Sequence, residues 1–505
     1  MKRNAPREAD FVIVGAGSAG CIAAAQLAGA GASVILVEAG GTDRRPDVRL
    51  PLGIVSLYAT ANWRYPTAPD PSKNSVGGAF ASGRIVGGSG SINAMVFVRG
   101  RPSDYDKWAG LGATGWEFDS VLPHFKSIEN WVGGPDEYRG AAGPVAVSWC
   151  GHHHPLDDAF IEAAVEAGHD RNPDPNGRTQ LGVARSQVNQ SRGLRCSSAK
   201  GFLRGLPEVS QPYLLTKTKA TRILVDHGRA IGVECEGQTL RARQEVILCA
   251  GAIGSPALLL RSGIGPGLSV VDLPGVGENL QDHLVVTQHW KSKVPTINTI
   301  GPLAAVRAAG SLAFNGTGAL TTTPFEAQLF TDEFQIAISP VRYELDPVRG
   351  RASLRRSDAF TVYTVLMHPE TRGRVRLRGG SPELEFTRLG SDHDVRRLLD
   401  GVEMTRELIE TQPAMRGLAG EYLDEDGATG AAWLAARENS IYHAVGTCRM
   451  GSDDDSVVDP QLRVHGVEGL RVIDASVMPT ITSGNTNAAT MMIAHRGADL
   501  LLRIS

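Results

Sequence analysis

Asp10-Phe-Val-Ile-Val-Gly-Ala-Gly-Ser-Ala-Gly20 decides the fold of this 505-residue chain. Phe11 to Val14 form a short β-rich run that ends directly in a G-x-G-x-x-G turn, and small residues continue at helical spacing to Leu27. Ser33-Val-Ile-Leu-Val-Glu38 then reads as a second buried strand, so the chain opens with a βαβ unit. Gly15 permits the tight turn, and Gly17 lets backbone approach a pyrophosphate. Ser18 and Ala19 open a helix whose free N–H groups suit phosphate, while Gly20 allows close helix–strand packing. Glu38, with Ala39 beside it, stands where an acid bonds a ribose hydroxyl pair and disfavours a 2′-phosphate. The unit predicts FAD or NAD and argues against NADP.

At this length two intimately joined domains are expected. With 42% hydrophobic and 21% charged residues the composition is that of a globular protein, and a net charge of −3 favours neither nucleic acid nor a membrane surface. The 59 glycines cluster at turns and fingerprints, without a repeat. Six cysteines, Cys21, Cys150, Cys196, Cys235, Cys249 and Cys448, lack paired spacing, which points to buried thiols in a reducing compartment. The apolar region from Ala19 to Val37 is broken by Gln26 and glycines, so it reads as helix plus strand and not as a membrane span. Residues 1–10 lead straight into the first strand without signal-peptide character, and the expectation is a cytoplasmic protein.

Gly83-Arg-Ile-Val-Gly-Gly-Ser-Gly-Ser-Ile-Asn-Ala-Met-Val-Phe-Val-Arg-Gly100 narrows the cofactor. So many glycines and serines cannot make a strand core; they suit backbone wrapped around a flat ligand with N–H groups aimed at its heteroatoms. This run resembles the first signature of the glucose–methanol–choline oxidoreductases, and Gly251-Ala-Ile-Gly-Ser-Pro-Ala-Leu-Leu-Leu-Arg-Ser-Gly-Ile-Gly265 resembles their second. Gly275-Val-Gly-Glu-Asn-Leu-Gln-Asp-His283 and Val472-Ile-Asp-Ala-Ser-Val-Met-Pro479 match further family motifs, in the same order from residue 10 to about 502. The likeness thins between about residues 290 and 430, the family's variable substrate region.

The resemblance implies FAD and a site that can be carried over by position. Gly15, Gly17, Gly20 and Glu38 would hold the adenosine diphosphate half, with Ala220 where the family has a valine beside adenine, and Ala250 ahead of the second signature. Arg84, Val86, Gly88, Asn93, Ala94 and Val96 would lie along the isoalloxazine or ribityl chain, with Asp474 and Ala475 near the pyrophosphate. Where some relatives carry a flavin-linking histidine this chain has Ile92, which implies non-covalent FAD.

Hydride loss from an alcohol carbon requires removal of the hydroxyl proton, and an imidazole is the natural base near neutral pH. His443, in Ser440-Ile-Tyr-His-Ala-Val-Gly-Thr-Cys-Arg-Met-Gly451, matches the family's catalytic histidine. Asn487, in Ser483-Gly-Asn-Thr-Asn-Ala-Ala-Thr-Met-Met492, matches the second catalytic position and precedes an apolar helical run beginning near Ala488. Asn485 is the alternative, with Asn487 then a helix cap; position relative to the apolar run favours Asn487. That helix would aim its positive end at the flavin. Tyr442 and Ile441 directly precede the base, and the resemblance puts them at the flavin edge where O₂ reacts.

Other features read as structural. His152, His153 and His154 cannot all face one metal ion, so they are placed in a solvated loop. Asp453 to Asp455 read as a solvent-facing loop, and His495 with Arg496 as helix surface. The resulting architecture is α/β: a Rossmann-like FAD domain built from 1–145, 191–290 and 440–505, and an antiparallel-sheet α+β substrate domain built from 146–190 and 291–439. Within the latter, Ala359 to His368 and Gly373 to Arg378 read as strands and Val402 to Ile409 as helix. The implied activity is FAD-dependent oxidation of a primary alcohol, aryl or heteroaromatic by resemblance, with electrons passing to O₂ or another acceptor. The alternatives are a hydroxynitrile-lyase-type reaction on the same scaffold, oxidation of choline-like or aliphatic alcohols, and a flavin-binding module without catalysis, against which His443 and the asparagine argue.

Overall fold

The computed structural model describes residues 6–73, 75–323, 325–346, 351–354 and 356–503. Residues 1–5, part of the segment read for a signal peptide, lie outside the described residues. The opening βαβ unit is present as strand Glu8–Val14, helix Ser18–Gly29 and strand Val34–Val37. Both strands are nearly continuous apolar runs because both faces of a parallel sheet are covered. Around them a seven-stranded sheet runs in the order 213–215, 34–37, 8–14, 238–248, 229–235, 220–226, with 470–472 also paired to 238–248. The pairings among 213–215, 34–37, 8–14, 238–248 and 470–472 are parallel, and the two outer pairings are antiparallel. The C-terminal helix Asn487–Leu502 packs on the first helix, so the two ends of the chain share one core.

The second large sheet is antiparallel, in the order 419–422, 284–292, 359–366, 334–339, 327–330, 182–185. Its residues alternate between two faces. Leu284, Val286, Trp290, Phe360, Val362, Phe334 and Ile336 pack beneath helices Pro155–Glu166 and Asp392–Glu410. Val285, Tyr363, Val365 and Ala337 form the opposite face. That opposite face roofs a cavity of about 750 Å³, so strand register alone selects which side chains a ligand meets.

Several expectations about local structure are corrected. The strand at Gly373 to Arg378 forms, as Arg374–Arg378, but pairs with Ser381–Glu385 and joins Tyr65–Thr67 and Gly78–Phe80 instead of the substrate sheet. The strand Leu284–Ser292 belongs to the substrate sheet although it begins inside the piece assigned to the cofactor domain. Of the three histidines only His153 is exposed: His154 is buried, accepts the Leu156 N–H through Nδ1 at 3.2 Å and caps its helix, and His152 Nδ1 lies 2.8 Å from Glu326. His495 is half-buried with Nδ1 2.9 Å from His124 Nδ1, and the Arg496 guanidinium stands 4.8 Å over the Trp116 ring. Asp453 to Asp455 are exposed. Among the described residues no helix is long and apolar enough to cross a membrane.

Candidate active site

A cavity of about 750 Å³ runs between the two sheets, lined at one end by Gly17, Ser18, Ala19 and Glu38 and at the other by His443 and Asn485. A second cavity of about 230 Å³ shares Glu38 and Ala250 with it and is lined by Gly15, Ala39, Thr218, Lys219 and Ala220. Together they make an elongated cleft of dinucleotide proportions. Sterics explain the fingerprint: Gly15 has φ +100°, and a Cβ on Gly20 would overlap the Gly15 carbonyl. Glu38 is buried and accepts N–H groups from Ala16 at 3.0 Å and Gly40 at 2.7 Å. Burial raises its pKa to about 7, against those two donors, so a further hydroxyl donor from a ribose would find a receptive carboxylate. Asp474 is buried as well and accepts from Gly251 N–H at 2.8 Å, Ser255 Oγ at 2.6 Å and Ser476. It thereby locks the start of helix Gly251–Arg261 to the cleft.

Gly88, Asn93, Ala94, Val96, Tyr442, Ala475 and Asn487 also line the large cavity. Gly20, Arg84, Val86 and Ala488 do not: Val86 and Ala488 sit in the core, and the Arg84 guanidinium stands 4.7 Å over Trp63, which lines the smaller cavity. Ile92 is buried among Val48, Leu57, Ala61 and Ile85. The bare glycine backbone, buried Glu38 and paired cavities fit a dinucleotide, and the residues that would hold FAD are those of the named set that line the two cavities.

His443 lies where the cofactor end meets the substrate sheet. Its backbone N–H donates to Asp282 Oδ1 at 2.8 Å, and Asp282 Oδ2 accepts from Ser440 Oγ and Arg388. Tyr442 takes φ 64° just before it, an unusual conformation for a bulky residue, and its ring packs against Phe80 and Tyr58. Strain in the residue before a functional group is a recurrent feature of sites that aim a side chain. Nδ1 of His443 is 2.8 Å from Nδ1 of His283, and Nε2 is 3.3 Å from Asn485 Nδ2. Two ring nitrogens this close must share one hydrogen. Asn485 can only donate through Nδ2, because its Oδ1 accepts from Gln335 Nε2 at 3.3 Å, and Gln335 is itself bonded to Gln328. So His443 carries its hydrogen on Nδ1, and its Nε2 lone pair accepts from Asn485. Burial holds His443 down to about 3, and burial with the adjacent His443 holds His283 well below the usual range, so the pair is neutral.

The asparagines occupy different places from those expected. Asn485 reaches His443, whereas Asn487 opens the C-terminal helix and its Oδ1 accepts from Ser18 Oγ at 2.7 Å, tying that helix to the first fingerprint. Sequence reasoning also left Asp282 and His283 without roles. Both sit in the quoted motif Gly275 to His283, but their partner His443 is 160 residues away from His283, and only the fold brings them together.

An elongated dinucleotide cleft ending at a buried neutral imidazole is the site of a flavin-dependent oxidoreductase acting on CH–OH donors. Family models of the GMC oxidoreductases match residues 9–285 and 369–494. The chain is 36% identical to the oxygen-dependent choline dehydrogenase of Photobacterium profundum, over 98% of this chain and 93% of that one. It is 37% identical to the enzyme of that name from Vibrio vulnificus, over 98% and 94%. Among solved structures it is similar to pyridoxine 4-oxidase from Mesorbium loti, with a TM-score of 0.87 and 28% identity over 98% of this chain and 99% of that one. A formate oxidase at 22% identity and TM-score 0.89 shares the fold. The chain belongs to the glucose–methanol–choline (GMC) oxidoreductase family, and its cofactor is FAD.

Proposed function

We propose that the chain oxidises an uncharged primary alcohol bearing an aromatic or heteroaromatic group, with His443 as the base and Asn485 as the partner of the substrate oxygen. FAD, when bound, supplies the acceptor for the hydride. Nε2 of His443 takes the hydroxyl proton; the hydrogen on Nδ1 stays on His443 and is donated to His283 Nδ1, which spreads the positive charge that results. The Asn485 amide shifts its donor from Nε2 to the alcohol oxygen as negative charge grows there. Asp282 fixes the imidazole through the backbone, and Gln335 fixes the amide.

The observation that carries the substrate class is the cavity lining around His443. Val285, Phe325, Tyr363, Ile441, Tyr442, Phe80 and Tyr58 are uncharged, and most are aromatic. The carboxylates on the wall are engaged elsewhere: Glu38 and Asp474 at the cofactor end, Asp424 with His289 and Asp426 with Arg437. His289 lies five residues along its strand from Leu284, about 17 Å at ~3.4 Å per residue. A stacked neutral ring suits this lining better than a quaternary ammonium ion, which gains most from a nearby carboxylate as well as a cage. The similarity to pyridoxine 4-oxidase supports the same reading. A second reading, a choline-like substrate, is favoured by the identity to choline dehydrogenases and by cation–π capacity of the same rings. Anaerobic reduction of the FAD-loaded protein by benzyl-type and pyridyl methanols, against choline and aliphatic alcohols, decides between them. Faster bleaching by choline than by any aromatic alcohol overturns the proposal.

A further inference from the structure

Arg195 is a buried cation with no counter-charge among the described residues. The residue is 5% exposed. Nε donates to the Val48 carbonyl at 3.0 Å, and Nη1 donates to the Gly90 carbonyl at 3.2 Å and to Asn93 Oδ1 at 2.7 Å. Nη2 has no partner among the described residues. The other deeply buried arginines among the described residues are paired: Arg99 and Arg139 with Glu129, Arg471 with Glu245. Burial lowers Arg195 to about 9, and no carboxylate raises it. Taking an ion out of water is costly unless opposite charge or excellent hydrogen bonding compensates, so an unpaired guanidinium implies an anion that the chain itself does not provide.

Two of the groups Arg195 holds belong to the glycine-rich run that wraps the cleft. Asn93 lines the large cavity. Its Oδ1 is fully occupied, by Arg195 and by the Met95 N–H at 3.0 Å. The amide orientation is therefore fixed, and its Nδ2 hydrogens have no partner among the described residues, which leaves them free for a group bound in the cleft that Asn93 lines. A guanidinium on the carbonyl side of an amide also strengthens the donors on the other side. FAD brings negative charge to this cleft, and its ring system gains more when a hydride, a proton with two electrons, is transferred to it.

We propose that Arg195 is a positioning and charge-supplying residue for the ring end of FAD: through Asn93 it aims a polarised amide donor at the cofactor and stabilises the negative charge that reduction creates. Both steps use residues of this chain, and neither depends on which alcohol is oxidised or on His443 being the base.

The test is a redox equilibrium, with no alcohol present. FAD-loaded wild type, Arg195→Met, Arg195→Lys and Asn93→Leu are reduced slowly beside a dye of known potential, and bound FAD is titrated separately. Arg195→Met and Asn93→Leu should each shift the equilibrium at least about tenfold towards oxidised flavin, which is about 30 mV for a two-electron couple. Arg195→Lys keeps the charge and should shift it less than about threefold. The double variant Arg195→Met/Asn93→Leu should add little to either single, because both break one path. An unchanged equilibrium in Arg195→Met overturns the proposal. So does weaker FAD binding with an unchanged equilibrium, which assigns the charge to the cofactor's phosphates. If the Met variant retains no FAD, Arg195→Lys and Asn93→Leu carry the test, and a wild-type equilibrium in Asn93→Leu overturns the proposal.

Discussion

Asn485→Ala removes the amide that faces Nε2 of His443 and isolates the question of which asparagine serves the reaction. In the wild type, Asn485 Nδ2 stands 3.3 Å from Nε2, and its Oδ1 is held by Gln335, so the donor is preorganised at no cost during turnover. Removing one preorganised donor of this kind costs about 10²–10³ in rate. The 3.3 Å contact is long and the donor uncharged, which places the expectation at the low end, about 10². Gln335 would lose one of its two acceptors, and a net hydrogen bond is worth about 1 kcal/mol of stability, so the variant should still fold. Asn487→Ala is the control, because it breaks the 2.7 Å bond from Ser18 Oγ instead. That variant should hold FAD less tightly yet be reduced within about threefold of the wild-type rate when fully loaded, since no donor to the reacting oxygen is lost. Anaerobic stopped-flow with a saturating aromatic alcohol reads both rates directly. If FAD-saturated Asn487→Ala is reduced more slowly than Asn485→Ala, the assignment of the two asparagines is wrong.

Other expectations follow from the same geometry. His283→Asn keeps an acceptor at the position of Nδ1 and should retain reduction within about tenfold, whereas His283→Leu removes it, frees the His443 tautomer and should lose about 10²-fold; equal rates in the two variants would refute the tautomer argument. Because burial holds His443 down to about 3, the reduction rate should show no acid limb near the ordinary imidazole value of 6.5. The same depressed value means that His443 contributes a loss of folded-state stability as pH falls from 6.5 towards 3, where only the unfolded chain takes up the proton; a pH series of thermal unfolding and of single-turnover rates checks both. Ile92 offers no nucleophile, so acid or heat should release all flavin as FAD, and coloured flavin left in the washed pellet would contradict non-covalent binding.

The cofactor half of the fold was legible because glycine sterics leave a mark in sequence. Gly15 and Gly20 are needed where a Cβ cannot fit, and the apolar runs at Phe11 to Val14 and Val34 to Val37 are strands buried on both faces. The substrate sheet was legible only in outline. Ala359–Leu366 became its centre, yet the hairpin 374–385 joined the strands at 65–67 and 78–80, since pairing partners distant in sequence leave no local signal. Position relative to the apolar run favours Asn487, yet it is Asn485 that reaches His443. The helix begins at Asn487 with Thr486 before it, and only that start turns one amide to Ser18 and the other to His443. His154 looked solvated because three histidines in a row are polar, but a cap with bonds to Leu156 and Pro295 satisfies it in the interior. Arg195 carries no sequence mark at all, since an unpaired charge is defined by the absence of neighbours in space.

The central claim is that His443 takes the alcohol proton. It is tested most directly by single-turnover anaerobic reduction of FAD-loaded His443→Ala at saturating alcohol. The account predicts retained FAD and a reduction rate about 10²–10⁴-fold below wild type. Reduction at the wild-type rate, with FAD fully bound, would contradict it.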